Sequence, residues 1–399
     1  MDPPTSFSSL PPELVSKICR DSDLQKNDLV ALRLTSKSQG IHLSASKEFA
    51  EFYFRNIDLV YTRYSLQVFV EICKHPILGS AVREIQLSYA RFKPDCFEKE
   101  SKDQFDHIAA DGRSEGRHEY LDNIRRLVTR CDEEENLKRS NNAEDLLAAA
   151  FTALSQWNHP LKIAVSSVED RALGRSQIYS PSNLGENSHW ECDILGTVNL
   201  LCHSATRRPC AVQALQIKGA VWDNLVDSSS DSLSSLAQIS ELELHIWPTE
   251  YADSLRVAGL DSMAIKLLES TVYLKTLDLE SGCSDDDPQY LRSIFTTMLK
   301  IRLENITLAR IDLDQFRPFE NRLESLRRLE LFECGAEGSL GNVLPSIQKN
   351  FPRLEYLWLS RGWGSRTFEF HGVREVSDGI DELIQSRLEY RNNLGMAAL

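Results

Sequence analysis

The chain is short of positive charge. Its 399 residues carry 45 Lys and Arg against 59 Asp and Glu, a formal net charge of −14 with a pI near 5.2. A surface of that sign repels phosphate backbones, so nucleic acid is not expected as a principal partner. Long apolar runs are missing as well. The most apolar uncharged stretch, Leu146 to Leu161, is broken by Ser155, Gln156, Asn158 and His159, and it falls short of the roughly 18 to 20 residues a membrane span needs. The opening Met-Asp-Pro-Pro-Thr-Ser has neither the basic segment nor the apolar core of a secretory signal. These absences predict an intracellular protein, cytoplasmic or nuclear, with no membrane partner.

Metal and nucleotide signatures are also lacking. The nine cysteines (Cys19, Cys73, Cys96, Cys131, Cys192, Cys202, Cys210, Cys283 and Cys334) include no Cys-x-x-Cys pair, and their odd number and scatter read as reduced thiols rather than a disulfide or zinc framework. No Gly-x-Gly-x-x-Gly or Gly-x-x-x-x-Gly-Lys-Ser/Thr occurs, so no nucleotide cradle is visible. One Gly-x-Ser-x-Gly does occur, Gly112 to Gly116 around Ser114. A nucleophile elbow needs an apolar strand before it, and here a charged run precedes it, so the match reads as a surface loop. Asp285, Asp286 and Asp287 read as a solvated turn before Pro288, and His118, Glu119 and His245 have no partner at ligand spacing. No catalytic residue, metal or cofactor is therefore expected.

What is present is organised in pieces. Prolines open a first short helix carrying Leu14, Ile18 and Cys19, since a missing amide costs nothing at a helix start. Asn27 or Asp28 can cap a second helix with Leu29, Leu32 and Leu34, and a third stretch follows through Leu43. Three short helices cannot close a substantial core alone. Leu66, Phe69, Val70 and Cys73 then recur at helical spacing, and Val82 to Leu87 alternates as a strand. Two charged runs, 93–117 and 130–142, read as surface excursions around a helix at Tyr120 to Val128. A helix at Asp145 to Trp157 and a strand at Leu161 to Val165 come next.

The pattern apolar-x-x-apolar-x-apolar recurs seven times. The instances are Val82/Ile85/Leu87, Val212/Leu215/Ile217, Ile239/Leu242/Leu244, Leu274/Leu277/Leu279, Leu303/Ile306/Leu308, Leu326/Leu329/Leu331 and Leu354/Leu357/Leu359. After the first, the third members follow at intervals of 27, 35, 29, 23 and 28 residues, around the roughly 20 to 29 residues of a leucine-rich period with one longer insert. Helical patterns at Met263 to Leu274, Tyr290 to Leu299 and Val343 to Phe351 fill the gaps, and Asp378 to Tyr390 reads as a capping helix with Ile380, Leu383, Ile384 and Leu388 inward. The expectation is an α/β fold in which a curved solenoid carries a parallel sheet on its concave side.

Leu10-Pro11-Pro12-Glu13-Leu14, followed by Ile18, Leu24, Asp28-Leu29 and Leu32-Arg33-Leu34-Thr35-Ser36-Lys37, resembles an F-box, in the version that begins many fungal F-box proteins. Phe49 to Leu59, Tyr64-Ser65-Leu66, His75-Pro76 and Val82-Arg83-Glu84-Ile85 resemble the segment joining that box to irregular leucine-rich repeats. The resemblance covers residues 8 to 92 by motif and the rest by architecture. It departs at Gly40, which falls where a third helix is expected, and in the lack of a tryptophan after Ser36-Lys37.

The resemblance implies a three-helix F-box at 1–50, a linker helix and first repeat-like unit at 51–92, a charged insertion with a helix at 93–142, irregular repeats at 143–362 and a cap or tail at 363–399. It also implies that Leu10, Pro11, Leu14, Ile18, Leu24, Leu29, Leu32 and Leu34 hold the helices together or face a Skp-family adaptor of a cullin-RING ubiquitin ligase. The chain would then be a substrate receptor without catalytic chemistry of its own. A free-standing repeat scaffold is the alternative, and behind it stands an enzyme whose site is assembled from residues distant in sequence. Trp222, His245, Trp247, Trp358, Arg361 and Trp363 lie within or just after strands, where they could contact an unknown protein target. By strand alternation Gln216, Glu243, Asp278, Thr307, Glu330 and Trp358 point away from the core, and the acidic three among them suit a basic or mixed target segment.

Overall fold

The computed structural model describes residues 14, 17–18, 26–35, 39–88, 90–92, 129, 131–166, 173, 190–192, 194–207, 211–218, 238–246, 260–281, 288–311, 313, 323–334, 340–360 and 367–393. They form a mixed α/β fold with a mostly parallel sheet. The chain divides into two compact units: Met1–Ala164, Val168–Glu191 and His203–Ala211 make the first, and Val165–Ser167, Cys192–Cys202 and Val212–Leu399 make the second.

In the first unit, α1 (Lys26–Thr35) packs on α2 (Gln39–Tyr53). Leu29, Ala45 and Phe49 form the centre of this pair, with Val30, Leu32, Tyr53 and Phe54 against them. Because α1 begins at Lys26, Asn27 and Asp28 lie inside its first turn rather than capping it. Asp28 there meets the positive end of the helix dipole. The helix α2 runs well past Leu43, because Ala45, Phe49 and Ala50 continue a buried stripe at helical spacing. Gly40 sits in its first turn.

A strand, β1 (Asn56–Leu59), leads into α3 (Arg63–Lys74), whose start is capped where Thr62 Oγ1 accepts from the Ser65 N–H at 3.2 Å. The expected stripe of Leu66, Phe69, Val70 and Cys73 is buried. After a tight turn at Gly79, β2 (Glu84–Ser88) pairs in parallel with β1, setting Ile57 opposite Ile85 and Leu59 opposite Leu87. A short strand, β3 (Ala90–Phe92), follows. The run 130–142, expected as a surface excursion, is helical over 131–139. Leu137 and Glu134 on this stretch are buried, and a single apolar position among many charges was too little to reveal a packed face. Next, α4 (Asn142–Ser155) packs on α3, and β4 (Leu161–Ser166) lies beside β2, with the Lys162 N–H donating to the Arg83 carbonyl at 2.9 Å. The strand β5 (Trp190–Cys192) belongs with β3 to a separate two-stranded sheet. A helix the sequence reading lacked, α5 (Ile194–Thr206), belongs through Cys202 to the second unit and buries Ile194, Val198, Leu201 and Cys202 at helical spacing.

The second unit alternates strands and helices. Its elements are β6 (Val212–Ile217), β7 (Glu241–Ile246), α6 (Leu260–Ser270), β8 (Thr276–Ser281), α7 (Pro288–Met298), β9 (Asn305–Ala309), β10 (Arg328–Phe332), α8 (Leu340–Asn350), β11 (Tyr356–Ser360), β12 (Phe368–His371) and α9 (Val373–Asn393). From β6 to β12 the spatial order of strands follows the chain, parallel throughout except for the last pair.

The apolar pattern sets the register. Leu215, Leu242, Leu277, Ile306, Leu329 and Leu357 stand opposite one another in successive strands, and two residues later Ile217, Leu244, Leu279, Leu308, Leu331 and Leu359 do the same. All twelve are at most 1% exposed. A one-residue slip would turn the whole set outward, so burial of this face fixes the pairing.

Each strand start repeats a second feature. The Ser240 carbonyl accepts from the N–H groups of Lys275 and Thr276, Lys275 from Glu304 and Asn305, Glu304 from Arg327 and Arg328, and Arg327 from Glu355 and Tyr356. The same fork joins the Arg55 carbonyl to Arg83 and Glu84 in the first unit. Phe54/Ile57/Leu59 is thus a further instance of the apolar pattern, overlooked because its aromatic neighbours read as a joining segment. The tail also differs from expectation: β12 precedes the cap, Gly372 turns the chain at φ 87°, and α9 begins at Val373 rather than Asp378. Among its described side chains Val376 and Ile380 are buried, as is Gly379; Leu383 and Ile384, expected inward, are partly buried, and Leu388 lies outside the described side chains.

Candidate functional site

Two regions carry the residues singled out by sequence. On the helical module, Leu29 is 3% exposed and Leu32 is partly buried, so these two hold α1 to α2. Leu14, Ile18 and Leu34 instead stand 47%, 38% and 79% exposed. Leu43, Phe52 and Tyr64 are also exposed large apolar side chains on this module and the following helix. The sequence reading named Leu43 and Tyr64 but assigned them no exposed role, and it missed Phe52 because it ended the third stretch at Leu43; carrying the helical period onward puts Phe52 off the Ala45–Phe49 stripe. Leu10, Pro11, Leu24 and Arg361 lie outside the described residues, as do Ser114 and its glycines, His118, Asp285 to Asp287, Trp222, Trp247 and Trp363.

The second region is the face of β7 to β11 opposite the leucines. Parallel register lines up Gln216, Glu243, Asp278, Thr307, Glu330 and Trp358 in one row across the strands. A neighbouring row contains His245, Glu280, Ala309, Phe332 and Ser360. Alternation along each strand puts both rows on one face. Gln216, expected to point outward, is only 2% exposed, and its Oε1 has no hydrogen-bond partner among the described residues.

The sequence showed no partner for His245 because its partners come from register. Its Nε2 lies 2.7 Å from Glu243 Oε1, two residues back on β7, and its Nδ1 lies 2.7 Å from Glu280 Oε2, directly opposite on β8. With a carboxylate at each ring nitrogen, both nitrogens act as donors and the imidazolium is favoured. The hydrogen bond to Glu243 is the main cause holding the His245 pKa above its ordinary value; burial opposes it, while the charges of Glu243, Glu280 and Asp278 reinforce it.

The chain of charge continues along the carboxyl ends of the strands. Arg310 reaches Glu280 at 3.1 Å and Glu333 at 3.1 Å. Both Arg310 and Glu333 hold left-handed backbone conformations, at φ 56° and 51°, and their N–H groups donate to Phe332 and Ser360 carbonyls of the next strand. These bonds hold a conformation that non-glycine residues adopt at some expense.

Asp278 lies amid this charge without a cation paired to it among the described residues. Burial first, then the charge of Glu243 and more weakly Glu280 and Glu330, push its carboxyl up to about 6, with His245 pulling the other way. At the β10–β11 end the face turns aromatic. Trp358 stacks on Phe332 with centroids 5.9 Å apart and planes 19° from parallel, while the Arg328 guanidinium lies 4.0 Å over the Tyr356 ring.

The described thiols offer no activated nucleophile. Cys73, Cys202 and Cys334 are buried and Cys131 is half-buried. Burial raises both Cys131 and Cys334 to about 11, away from the thiolate. Among the described residues, no three His, Cys, Asp or Glu side chains are grouped so as to hold a metal ion, and no helix is long and apolar enough to cross a membrane. Comparison with models of protein families and with curated protein sequences finds no match to the chain.

Proposed function

We propose that the chain is a non-enzymatic substrate receptor of a Skp-cullin-F-box ubiquitin ligase, docking a Skp-family adaptor through its N-terminal helices and a protein target through leucine-rich-like repeats. The observation that carries this reading is the exposure of Leu14, Ile18 and Leu34 on a helical module whose centre, among the described residues, is Leu29, Ala45 and Phe49. Large aliphatic side chains left outside so small a core mark a surface that a partner covers. The repeats support the second half of the reading. Strands that follow chain order, with leucines in register, resemble a solenoid, and such an array offers a long uninterrupted face to a target. In this reading Glu243, Asp278, Glu330 and Trp358, with Arg361 just after β11, lie on the target side. Catalysis is the work of the ligase partners, to which the receptor supplies proximity.

Capture by purified, immobilised Skp-family adaptor tests the proposal. Stoichiometric retention of the full chain is expected, and it should be lost when Leu14 and Ile18 are both replaced by Asp. A folded chain that passes through unretained would overturn the ligase reading and leave a repeat scaffold.

A further inference from the structure

We infer that the outward face of β7 to β11 receives an extended, lysine- or arginine-bearing segment of a partner protein, with one cationic side chain seated over Asp278. This deepens the reading of the repeats as the target side and rests on it. Asp278 is flanked across the strands by Glu243, in register on β7, and shares β8 with Glu280, while Glu330 lies two strands away in the same row. His245 serves Glu243 and Glu280, Arg310 serves Glu280 and Glu333, and Arg328 serves Glu330 at 2.6 Å. That leaves Asp278, in the middle of the group, as the carboxylate with no ion-pair partner of its own among the described residues, the His245 charge reaching it only from a distance. A half-buried carboxylate surrounded by others is unfavourable unless a cation arrives.

A second observation points the same way. Gln216 ends this row beside Glu243, nine-tenths and more buried, with its Oε1 unpartnered among the described residues. A buried acceptor without a donor carries a desolvation penalty that an incoming N–H removes. Acceptors therefore line one half of the row, and stacked Trp358 and Phe332 finish the other, a surface suited to the stem and charge of Lys or Arg. Strands spaced about 4.8 Å apart make the row from Gln216 to Trp358 about 24 Å long, the reach of about seven extended residues. A metal ion is a poorer fit, because no three of the described carboxylate and imidazole groups are placed to share one ion.

The test uses the full chain and a fluorescent peptide alternating Lys and Ser, with control peptides in which citrulline or Glu replaces Lys. Anisotropy should show the Lys peptide binding and both controls failing. Binding should weaken with added salt and as pH falls through about 6, where Asp278 protonates beside Glu243, Glu280, Glu330 and His245. Asp278→Asn should weaken it at least about tenfold, while Glu355→Gln, which removes an exposed carboxylate paired with Arg327 at the strand starts, should leave it unchanged. Equal binding by the citrulline peptide would overturn the inference, as would full affinity in Asp278→Asn. So would tight binding of magnesium or calcium that depends on Asp278. Adaptor capture measured on the same preparations separates the two claims: retention on the adaptor without Lys-peptide binding removes only this inference. Peptide binding without retention removes the ligase reading and leaves the cation site.

Discussion

Asp278 and His245 carry the same sign of pH dependence for different reasons. Asp278 is held above its ordinary value, so the native state binds its proton more tightly than the unfolded chain does. Its contribution is favourable below about 4 and is lost as pH rises through about 6. Asp278→Asn should consequently stabilise the protein by about 1 kcal/mol at pH 7.5, a figure reduced for solvent screening at this partly exposed site. The gain should vanish near pH 4 in parallel thermal melts, and an unchanged gain there would contradict the assignment. His245 is also raised, here by its glutamates, so its stabilisation is complete below the ordinary histidine value near 6.5 and fades as pH climbs through the folded value. Replacing it in His245→Gln should lower stability by about 1 to 2 kcal/mol at pH 6 and by less at pH 9, as read by urea unfolding at the two pH values.

At the scale of elements, neighbouring residues on one strand should behave oppositely. Leu329 is fully buried between Ile306 and Leu357, so Leu329→Ala should cost about 2 to 5 kcal/mol. Glu330→Gln, one residue on and facing outward, should change stability by no more than about 0.5 kcal/mol. Denaturant midpoints check the contrast, and similar losses would mean that the register is wrong. In the first unit, Gly79→Ala should destabilise the protein, because a Cβ there would run into the carbonyl group of Cys73, which is backbone and cannot turn aside.

These strands were legible from the chain because a buried parallel ladder demands leucine at fixed offsets, and the demand repeats. The same logic would have found β1 from Phe54, Ile57 and Leu59. It could not find β12, whose pairing is antiparallel and whose Phe368 and Phe370 are only half-buried. Nor could it find the partners of His245, since Glu280 becomes its neighbour only through strand register. Gln216 was misplaced for a related reason: alternation gives the side of a strand, not what else covers that side.

For the whole molecule, the helical module bears exposed apolar side chains around a small core, and the outward face of β7 to β11 bears Asp278 with no paired cation among the described residues. Each imbalance asks for a partner of a particular kind. The leucine division on the helical module makes the adaptor claim specific, because Leu29 is committed to the fold while Leu14, Ile18 and Leu34 are available. Calorimetric titration of a Skp-family adaptor into the full chain and into a variant with Leu14→Ala and Ile18→Ala measures the claim most directly. The account predicts that the wild-type chain binds and that the variant binds about 2 to 4 kcal/mol more weakly with its thermal transition unmoved. Absence of heat with the wild-type chain, or equal affinity in the variant, would contradict it.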